Sequence, residues 1–213
     1  MGCAGKDGEV ERMNQIALNV DCMEYMQALP DKAFDLAIVD PPYVISIHDS
    51  GRLKKYNATE TRWDDATPGD VYFSELKRCS KNQIIWGGNY YDLPPCRGFV
   101  IWDKKQPEDI SFASCEFAWT SFDTSARTFY YSPLQEKGQR IHPTQKPVAL
   151  YEWLLMKYAK EGWRILDTHL GSGSSRIAAY NLGFEFVGCE IEPTYFQLQE
   201  QRFADHTAQE RMW

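Results

Sequence analysis

The chain has 213 residues, of which 43% are hydrophobic, 25% are charged and 14% are aromatic. This length suits one domain with a sizeable core, and the hydrophobic content excludes wholesale disorder. The sequence contains no apolar run of about eighteen residues, and its polar start is unlike a signal peptide. A cytoplasmic protein without membrane contacts is therefore predicted.

The net charge of -7 is unfavourable for contacts with phosphates, but it is unevenly distributed. Residues 51–63 carry four basic side chains and one acidic side chain, a local excess of +3. The six cysteines form no C-x-x-C pair and no Cys/His cluster with zinc spacing. We therefore predict buried free thiols in a reducing compartment, no metal site, and a neutral to basic face for a nucleic-acid partner.

Apolar runs and turn residues predict strands that alternate with helices. The predicted strands are 14–20, 34–39, 83–86, 99–102, 115–120, 127–131, 164–167 and 184–189, and the predicted helices are 22–29, 69–79, 148–160, 175–182 and 194–206. The strands 115–120 and 127–131 come late in the chain and are candidates for antiparallel pairing. The pattern predicts an α/β fold with a mostly parallel, doubly wound, Rossmann-like sheet and a late antiparallel strand.

Chain organisation predicts a single domain over residues 14–206, after a frayed polar lead-in at residues 1–13. Residues 44–68 show no periodicity and are predicted to form a flexible loop. Long loops in compact domains often act as lids or binding loops. Thr194 is predicted to cap the last helix, and Glu192 to be a solvated charge.

The segment Asp40-Pro41-Pro42-Tyr43 directly follows the buried strand 34–39. Ligands of open α/β sheets bind outside the carboxyl ends of the strands. Two prolines remove two N–H donors, which leaves nearby carbonyls free to accept hydrogen bonds, and Asp40 adds a carboxylate. Acceptors beside the flat ring of Tyr43 suit an amino group on an aromatic base. An ordinary strand-ending turn is the alternative at this point.

A glycine-containing turn follows strand 164–167 and leads into the next helix. Gly171 and Gly173 allow a ligand to approach the backbone, and the free N–H groups at the helix start favour a carboxylate. Glu190 ends the next strand, and its carboxylate is suited to accept from two ribose hydroxyls. These features predict a cofactor that contains a nucleoside, although a tight strand–helix connection would explain the turn alone.

Together the motifs resemble those of DNA amino-methyltransferases of the permuted (beta) class, in which the catalytic tetrapeptide precedes the glycine motif. Residues 40–43 match the family's D-P-P-Y motif, and residues 167–174 resemble its D-P-F-x-G-S-G motif. Thr168 and His169 replace the usual Pro and Phe of that motif. The resemblance covers residues 14–205.

Two shorter segments extend the resemblance. Ile141 to Pro147 match the family's segment that helps to hold the methionine part of the cofactor. Asn19 to Cys22 resemble a G-D-C motif near the cofactor adenine, with Asn19-Val20 departing from the usual Gly. His169 is predicted to be a turn residue against the cofactor rather than a base.

The resemblance implies a cytoplasmic, bacterial or phage-encoded enzyme that uses S-adenosyl-L-methionine to methylate N6 of a flipped adenine in DNA. Asp40 and the Pro41 carbonyl would accept the two N–H bonds of the amine, and Tyr43 would stack on the base. The implied catalytic residues are Asp40, Pro41, Pro42 and Tyr43, and the implied cofactor-binding residues are Asp21, Cys22, Asp40, Thr144, Lys146, Asp167, His169, Leu170, Gly171, Gly173, Ser174, Glu190 and Ile191.

DNA is the implied partner, with the loop 44–68 facing it and residues 103–140 as a short target-recognition segment. Because this segment is short and weakly basic, a homodimer or a helper subunit is predicted. Cytosine N4 methylation, RNA adenine methylation, methylation of a protein glutamine amide and a non-catalytic cofactor-binding subunit remain alternatives. The family's cytosine enzymes more often carry Ser at the first position of the tetrapeptide, so Asp40 favours adenine. The amide enzymes usually carry Asn there.

Overall fold

The computed structural model describes residues 14–43, 67–106, 113–136 and 140–210. Its strands are β1 (Gln15–Leu18), β2 (Phe34–Val39), β3 (Ser80–Trp86), β4 (Phe99–Asp103), β5 (Cys115–Thr120), β6 (Arg127–Tyr130), β7 (Arg164–Asp167) and β8 (Glu185–Cys189). Its helices are α1 (Cys22–Gln27), α2 (Asp70–Cys79), α3 (Val148–Tyr158), α4 (Ser174–Asn181) and α5 (Pro193–Glu210). No helix in these ranges is long and apolar enough to cross a membrane.

The eight strands form one sheet in the order β1-β8-β7-β2-β3-β5-β4-β6. The first five strands in this order run parallel, and β5 is antiparallel to both β3 and β4. The predicted sheet is therefore confirmed. Antiparallel pairing is wrong for β6, which runs parallel to β4. The chain reverses after β4 and again after β5, so β6 returns along the far side of β4 in the same direction.

Helices cover both faces of the sheet, and successive residues of β2 point to opposite sides. Leu36 and Ile38 belong to one buried cluster, whereas Ala37 and Val39 belong to another. The first cluster includes Leu150, Leu154 and Leu155 of α3 and Ala178 and Ala179 of α4, and the second includes Met26 of α1 and Tyr72, Phe73 and Leu76 of α2. A strand buried on both faces is apolar throughout, which explains the continuous hydrophobic run at 34–39.

The carboxyl ends of five adjacent parallel strands form one edge of the sheet. Asp40 follows β2, Gly87 follows β3, Asp167 ends β7 and Glu190 follows β8, while Asp21 comes shortly after β1. Residues far apart in sequence are therefore brought together where open α/β sheets bind their ligands.

Two local predictions need correction. The helix α5 begins at Pro193, so Thr194 lies inside its first turn, and the Glu192 carboxylate accepts the Thr194 N–H at 3.3 Å. The described cysteines are free thiols, but of these Cys79 and Cys189 alone are buried, whereas Cys22 and Cys96 are half-buried. Cys115 is exposed because it begins β5 at the end of the β4–β5 hairpin. Residues 1–13 and 44–66, including most of the predicted loop 44–68, lie outside the described residues.

Candidate functional site

One cavity at the carboxyl edge of the sheet is lined by residues from both the proline turn and the glycine turn. Its lining comprises Asp40, Pro42, His142, Thr144, Gln145, Lys146, Tyr151, His169, Leu170, Gly171, Ser172, Glu190, Ile191 and Tyr195. Seven predicted site residues lie outside this lining, namely Asp21, Cys22, Pro41, Tyr43, Asp167, Gly173 and Ser174. Several of these seven lie behind the cavity wall, where they contact the residues that line it.

Asp40 lines the cavity, and its two carboxylate oxygens differ in their hydrogen bonds. Oδ2 accepts a hydrogen bond from the Lys146 ammonium. Oδ1 is buried and has no hydrogen-bond partner among the described residues. Burial raises the pKa of Asp40, whereas the charge of Lys146 opposes that shift. A buried acceptor without a donor is costly, so Oδ1 is suited to receive a donor from a bound molecule.

Lys146 is only 2% exposed and pairs with a second carboxylate, that of Glu116, at 3.1 Å. Glu116 also pairs with Lys104 at 2.7 Å. Burial favours the neutral form of Glu116, but the two lysines outweigh it and lower its pKa to about 2. Lys146 is therefore a buried ammonium shared between two carboxylates. Sequence analysis missed Glu116 and Lys104, and the available signal was an acidic residue within the apolar strand 115–120.

The residues that follow β3 hold the proline turn in place. The Tyr91 hydroxyl donates to the Pro41 carbonyl at 2.7 Å and lies 3.2 Å from the Pro42 carbonyl. The expectation that both carbonyls are free is therefore wrong, although a carbonyl oxygen with one donor retains a second lone pair. The Tyr43 ring is stacked on Tyr90, with ring centroids 4.8 Å apart and planes 2° apart.

Gly87 has a φ of +67° and lies directly against Tyr43. A Cβ atom at this position would approach Tyr43 Cδ1 to 2.7 Å. Only glycine combines this left-handed conformation with such close contact. The backbone between β3 and Tyr91 therefore supports both the ring and the carbonyls of the proline turn.

The glycine turn is connected to Glu190. The Gly171 N–H donates to Glu190 Oε2 at 2.8 Å, and the Glu192 N–H donates to Oε1 at 2.9 Å. Each oxygen has one backbone donor and retains capacity for another. Gly171 and Gly173 both have positive φ values, +51° and +73°. The arrangement leaves a carboxylate at the cavity wall that can accept hydroxyl donors from a ligand.

Asp167 and Arg202 hold the glycine turn without lining the cavity. Asp167 accepts the Ser175 hydroxyl at 2.6 Å and the His169 N–H at 3.0 Å, and burial raises its pKa to about 7. Arg202 of α5 donates to the Ser172 carbonyl at 2.7 Å and approaches the Ser174 hydroxyl at 2.9 Å. Sequence analysis missed Arg202, because no motif points to it.

Two histidines at the cavity, the buried His142 and the half-buried His169, are neutral near pH 7. Burial lowers the pKa of His169 to about 4 and that of His142 to about 3. His169 Nδ1 lies 2.9 Å from the Thr168 hydroxyl, which in turn lies 2.6 Å from the Tyr72 hydroxyl. His169 is thus a weak base within the turn, and its predicted contact with the cofactor stays a prediction. His142, which precedes α3, also lines the cavity.

Asp21 and Cys22 lie after β1, beside the end of β8. The Asp21 carboxylate caps α1 by accepting the Met23 N–H at 2.7 Å. Asn19, which departs from the glycine of the family motif, donates to the carbonyls of Glu190 and Ile191 at 2.7 and 3.2 Å. Asn19 thus ties the end of β1 to the segment that carries Glu190. The cofactor contacts of Asp21 and Cys22 stay predictions.

Comparison with known proteins agrees with this geometry. A family model described as DNA methylase, covering N6 and N4 methyltransferases, matches residues 52–201. The Escherichia coli K12 protein YubD, named as a methylase, is 25% identical over 201 residues, which cover 86% of this chain and 88% of YubD.

Solved structures share the fold. The M1.HpyAVI–S-adenosylmethionine complex superposes with a TM-score of 0.61 at 22% identity, covering 88% of this chain and 98% of that one. PvuII DNA methyltransferase, which is cytosine-N4-specific, also gives a TM-score of 0.61, at 12% identity, covering 89% and 90% of the two chains. Because the family model spans most of the chain, the protein belongs to the DNA methylase family of S-adenosylmethionine-dependent N6 and N4 amino-methyltransferases.

Proposed function

We propose that the protein transfers a methyl group from S-adenosylmethionine to the exocyclic N6 amine of adenine in DNA. The observation that carries this proposal is the buried, unpartnered Oδ1 of Asp40, a residue that lines the same cavity as Glu190 and Gly171. One cavity therefore offers an acceptor for an amine and an acceptor for the hydroxyls of a nucleoside cofactor.

Asp40 and the Pro41 carbonyl are proposed to accept the two N–H bonds of the amine. The adenine amine is a poor nucleophile, since its lone pair is delocalised into the ring. Hydrogen bonds to both N–H groups favour a more tetrahedral nitrogen, and the Asp40 carboxylate stabilises the positive charge that develops on it as the bond between the methyl carbon and the cofactor sulfur breaks. The methylated nitrogen then loses one proton to solvent, which leaves a neutral secondary amine. S-Adenosylmethionine supplies a methyl group bonded to a positively charged sulfur. Positioning of the amine opposite that methyl contributes much of the remaining rate enhancement.

The cavity residues fit the predicted cofactor at two places. Lys146 has three ammonium donors, of which Asp40 and Glu116 engage two, so one remains for the methionine carboxylate. Glu190 retains acceptor capacity on both oxygens for the ribose hydroxyls. The remaining proposed cofactor residues are Asp21, Cys22, Asp40, Thr144, Asp167, His169, Leu170, Gly171, Gly173, Ser174 and Ile191.

A base within a duplex cannot reach a buried carboxylate, so adenine is proposed to flip out, at a cost of a few kcal/mol. Tyr43 is proposed to stack on the extruded base. The single domain 14–206, the DNA-facing loop 44–68 and the recognition segment 103–140 stay predictions, as does association into a homodimer or with a helper subunit. Parts of both segments lie outside the described residues.

The contact between Gly87 and Tyr43 gives a test of the stacking role. Gly87→Ala is expected to lower the single-turnover rate of methyl transfer about 10–100-fold, because the new Cβ displaces the Tyr43 ring. Gly162→Ala is the matched control, since Gly162 has a φ of +77° but no neighbouring atom within 4 Å of an added Cβ. It shares the backbone strain, about 1–2 kcal/mol, without the contact. Equal rates for the two variants would contradict the proposed role of Tyr43.

Cytosine N4 methylation is the second candidate, because the family covers both reactions and a cytosine-N4-specific enzyme shares the fold. Asp40 at the first position of the tetrapeptide favours adenine. RNA adenine and a protein amide carry amino groups of similar chemistry, but membership of a DNA methylase family favours DNA as the substrate. The intact Asp40 and Tyr43 favour an active enzyme over a non-catalytic subunit.

Sequencing of DNA from an expressing host tests the proposed base and site together. A host without its own DNA methylation should acquire N6-methyladenine at one recurring sequence. The same host carrying Asp40→Ala should show none. Modification confined to N4-methylcytosine would overturn the adenine assignment.

A further inference from the structure

Four charged side chains form a continuous chain from the β4–β5 hairpin to the proline turn. Lys104 pairs with Glu116 at 2.7 Å, Glu116 pairs with Lys146 at 3.1 Å, and Lys146 pairs with Asp40. Positive and negative groups alternate, so the chain carries two charges of each sign. Only its last two members, Lys146 and Asp40, line the cavity.

Burial makes this arrangement costly. The side-chain exposures of Lys104, Glu116, Lys146 and Asp40 are 14%, 22%, 2% and 14%. Buried ion pairs are often replaceable by apolar residues without loss of stability, so stability alone is a weak reason for such a chain. Because Asp40 and Glu116 share one ammonium, Glu116 is in a position to influence the ionisation of Asp40.

We propose that Glu116 and Lys104 are positioning residues for methyl transfer, which act on Asp40 through Lys146. Glu116 competes with Asp40 for the Lys146 ammonium, and Lys104 neutralises the charge of Glu116. Asp40 is thereby kept ionised but incompletely neutralised, with Oδ1 available to the amine. This inference rests on the proposed role of Asp40 as the amine acceptor.

Removal of Glu116 and removal of Lys104 are expected to shift the pKa of Asp40 in opposite directions. Without the negative charge of Glu116, Lys146 turns fully to Asp40, which ionises more easily but stabilises a developing positive charge less. Without the positive charge of Lys104, Glu116 adds an unbalanced negative charge near Asp40, which then ionises less easily. Both effects follow from Coulomb interactions at short range in a poorly solvated site.

The other titratable groups around Asp40 are not expected to reproduce these changes. Burial raises the pKa of the nearby phenols and keeps them neutral, and it lowers the pKa of the neighbouring histidine to about 3. These groups are Tyr43 in the proline turn, Tyr91 after β3, Tyr151 on α3 and His142 before α3. Asp167 at the end of β7, whose pKa burial raises to about 7, does titrate in the measured range, but it hydrogen-bonds to Ser175 and His169 rather than to Glu116 or Lys104, so its contribution should be the same in every variant.

The test is the pH dependence of the single-turnover rate of label transfer from S-adenosylmethionine to DNA, for three variants of the whole chain. Glu116→Gln should lower the rate at pH 7 about three- to tenfold and move the acid limb of the profile to lower pH. Lys104→Met should move that limb to higher pH, with shifts of about half to one pH unit in each case. The double variant restores charge balance and should return the limb towards the wild-type position.

The control is the surface pair Arg164 and Glu185, joined at 3.2 Å at the amino ends of β7 and β8, whose double variant Arg164→Met/Glu185→Gln should leave the profile unchanged. Lost stability alone would lower melting temperature and rate without opposite pH shifts. Acid limbs that stay in place, or move in the same direction, would overturn the inference. Should Glu116→Gln fail to fold, the direction of the Lys104→Met shift decides. A wild-type protein that transfers no label to DNA would instead refute the proposed function.

Discussion

Replacement of Asp40 by alanine is expected to lower the single-turnover rate of methyl transfer by about 10²–10³-fold. Asp40 supplies the charged acceptor for the amine and the negative charge that stabilises the transition state, and loss of one such group typically has this effect. The fold should persist, because Lys146 retains Glu116 as a partner. The rate is measured with labelled S-adenosylmethionine and unmethylated DNA, both saturating.

Binding measurements distinguish this loss of rate from weaker binding of the cofactor. The dissociation constant for S-adenosylmethionine should rise by no more than about tenfold in Asp40→Ala, since Asp40 contributes only one of several proposed cofactor contacts. Asp31→Ala, which removes an exposed carboxylate before the amino end of β2, should behave as wild type. A variant at position 40 that retains a rate within about threefold of wild type would refute Asp40 as the amine acceptor.

Replacement of Glu190 by alanine is expected to weaken S-adenosylmethionine binding about 10–100-fold. Hydrogen bonds to a charged group contribute about 1.5–3 kcal/mol, and the variant also leaves the Gly171 N–H without its acceptor. Isothermal titration calorimetry measures the effect directly. DNA binding in the absence of the cofactor should be unchanged.

Glu185→Ala provides the matched control for this prediction. Glu185 lies at the opposite end of β8 and pairs with Arg164 at 3.2 Å on a largely exposed surface. Its removal should leave cofactor affinity at the wild-type value, because surface ion pairs contribute little. An unchanged affinity in Glu190→Ala would show that the carboxylate does not bind the ribose.

Much of the fold was predictable because the decisive strands are short apolar runs bounded by turn residues. Phe34–Val39, Cys115–Thr120 and Arg164–Asp167 form strands with the predicted bounds. The parallel pairing of β6 was not predictable, since it depends on whether the strand returns beside β4 or beside β5. The start of α5 was misplaced because Glu192, rather than Thr194, provides the side-chain acceptor.

The candidate site was predictable only where its residues occupy motifs. The proline turn and the glycine turn carry recognisable spacing, and both contribute to one cavity. The Tyr91 hydroxyl reaches this site through a contact with Pro41, 50 positions away, and the Glu116 carboxylate reaches it through a contact with Lys146, 30 positions away. Such contacts depend on strand order and side-chain direction, which no local pattern in the sequence records.

The most direct test of the central claim is the chemical identity of the methylated nucleoside. Purified protein is incubated with methyl-labelled S-adenosylmethionine and unmethylated genomic DNA, and the digested nucleosides are separated and identified by mass spectrometry. The account predicts that the label appears in N6-methyldeoxyadenosine and is absent with Asp40→Ala. Label found only in N4-methyldeoxycytidine, or absent from DNA altogether, would contradict it.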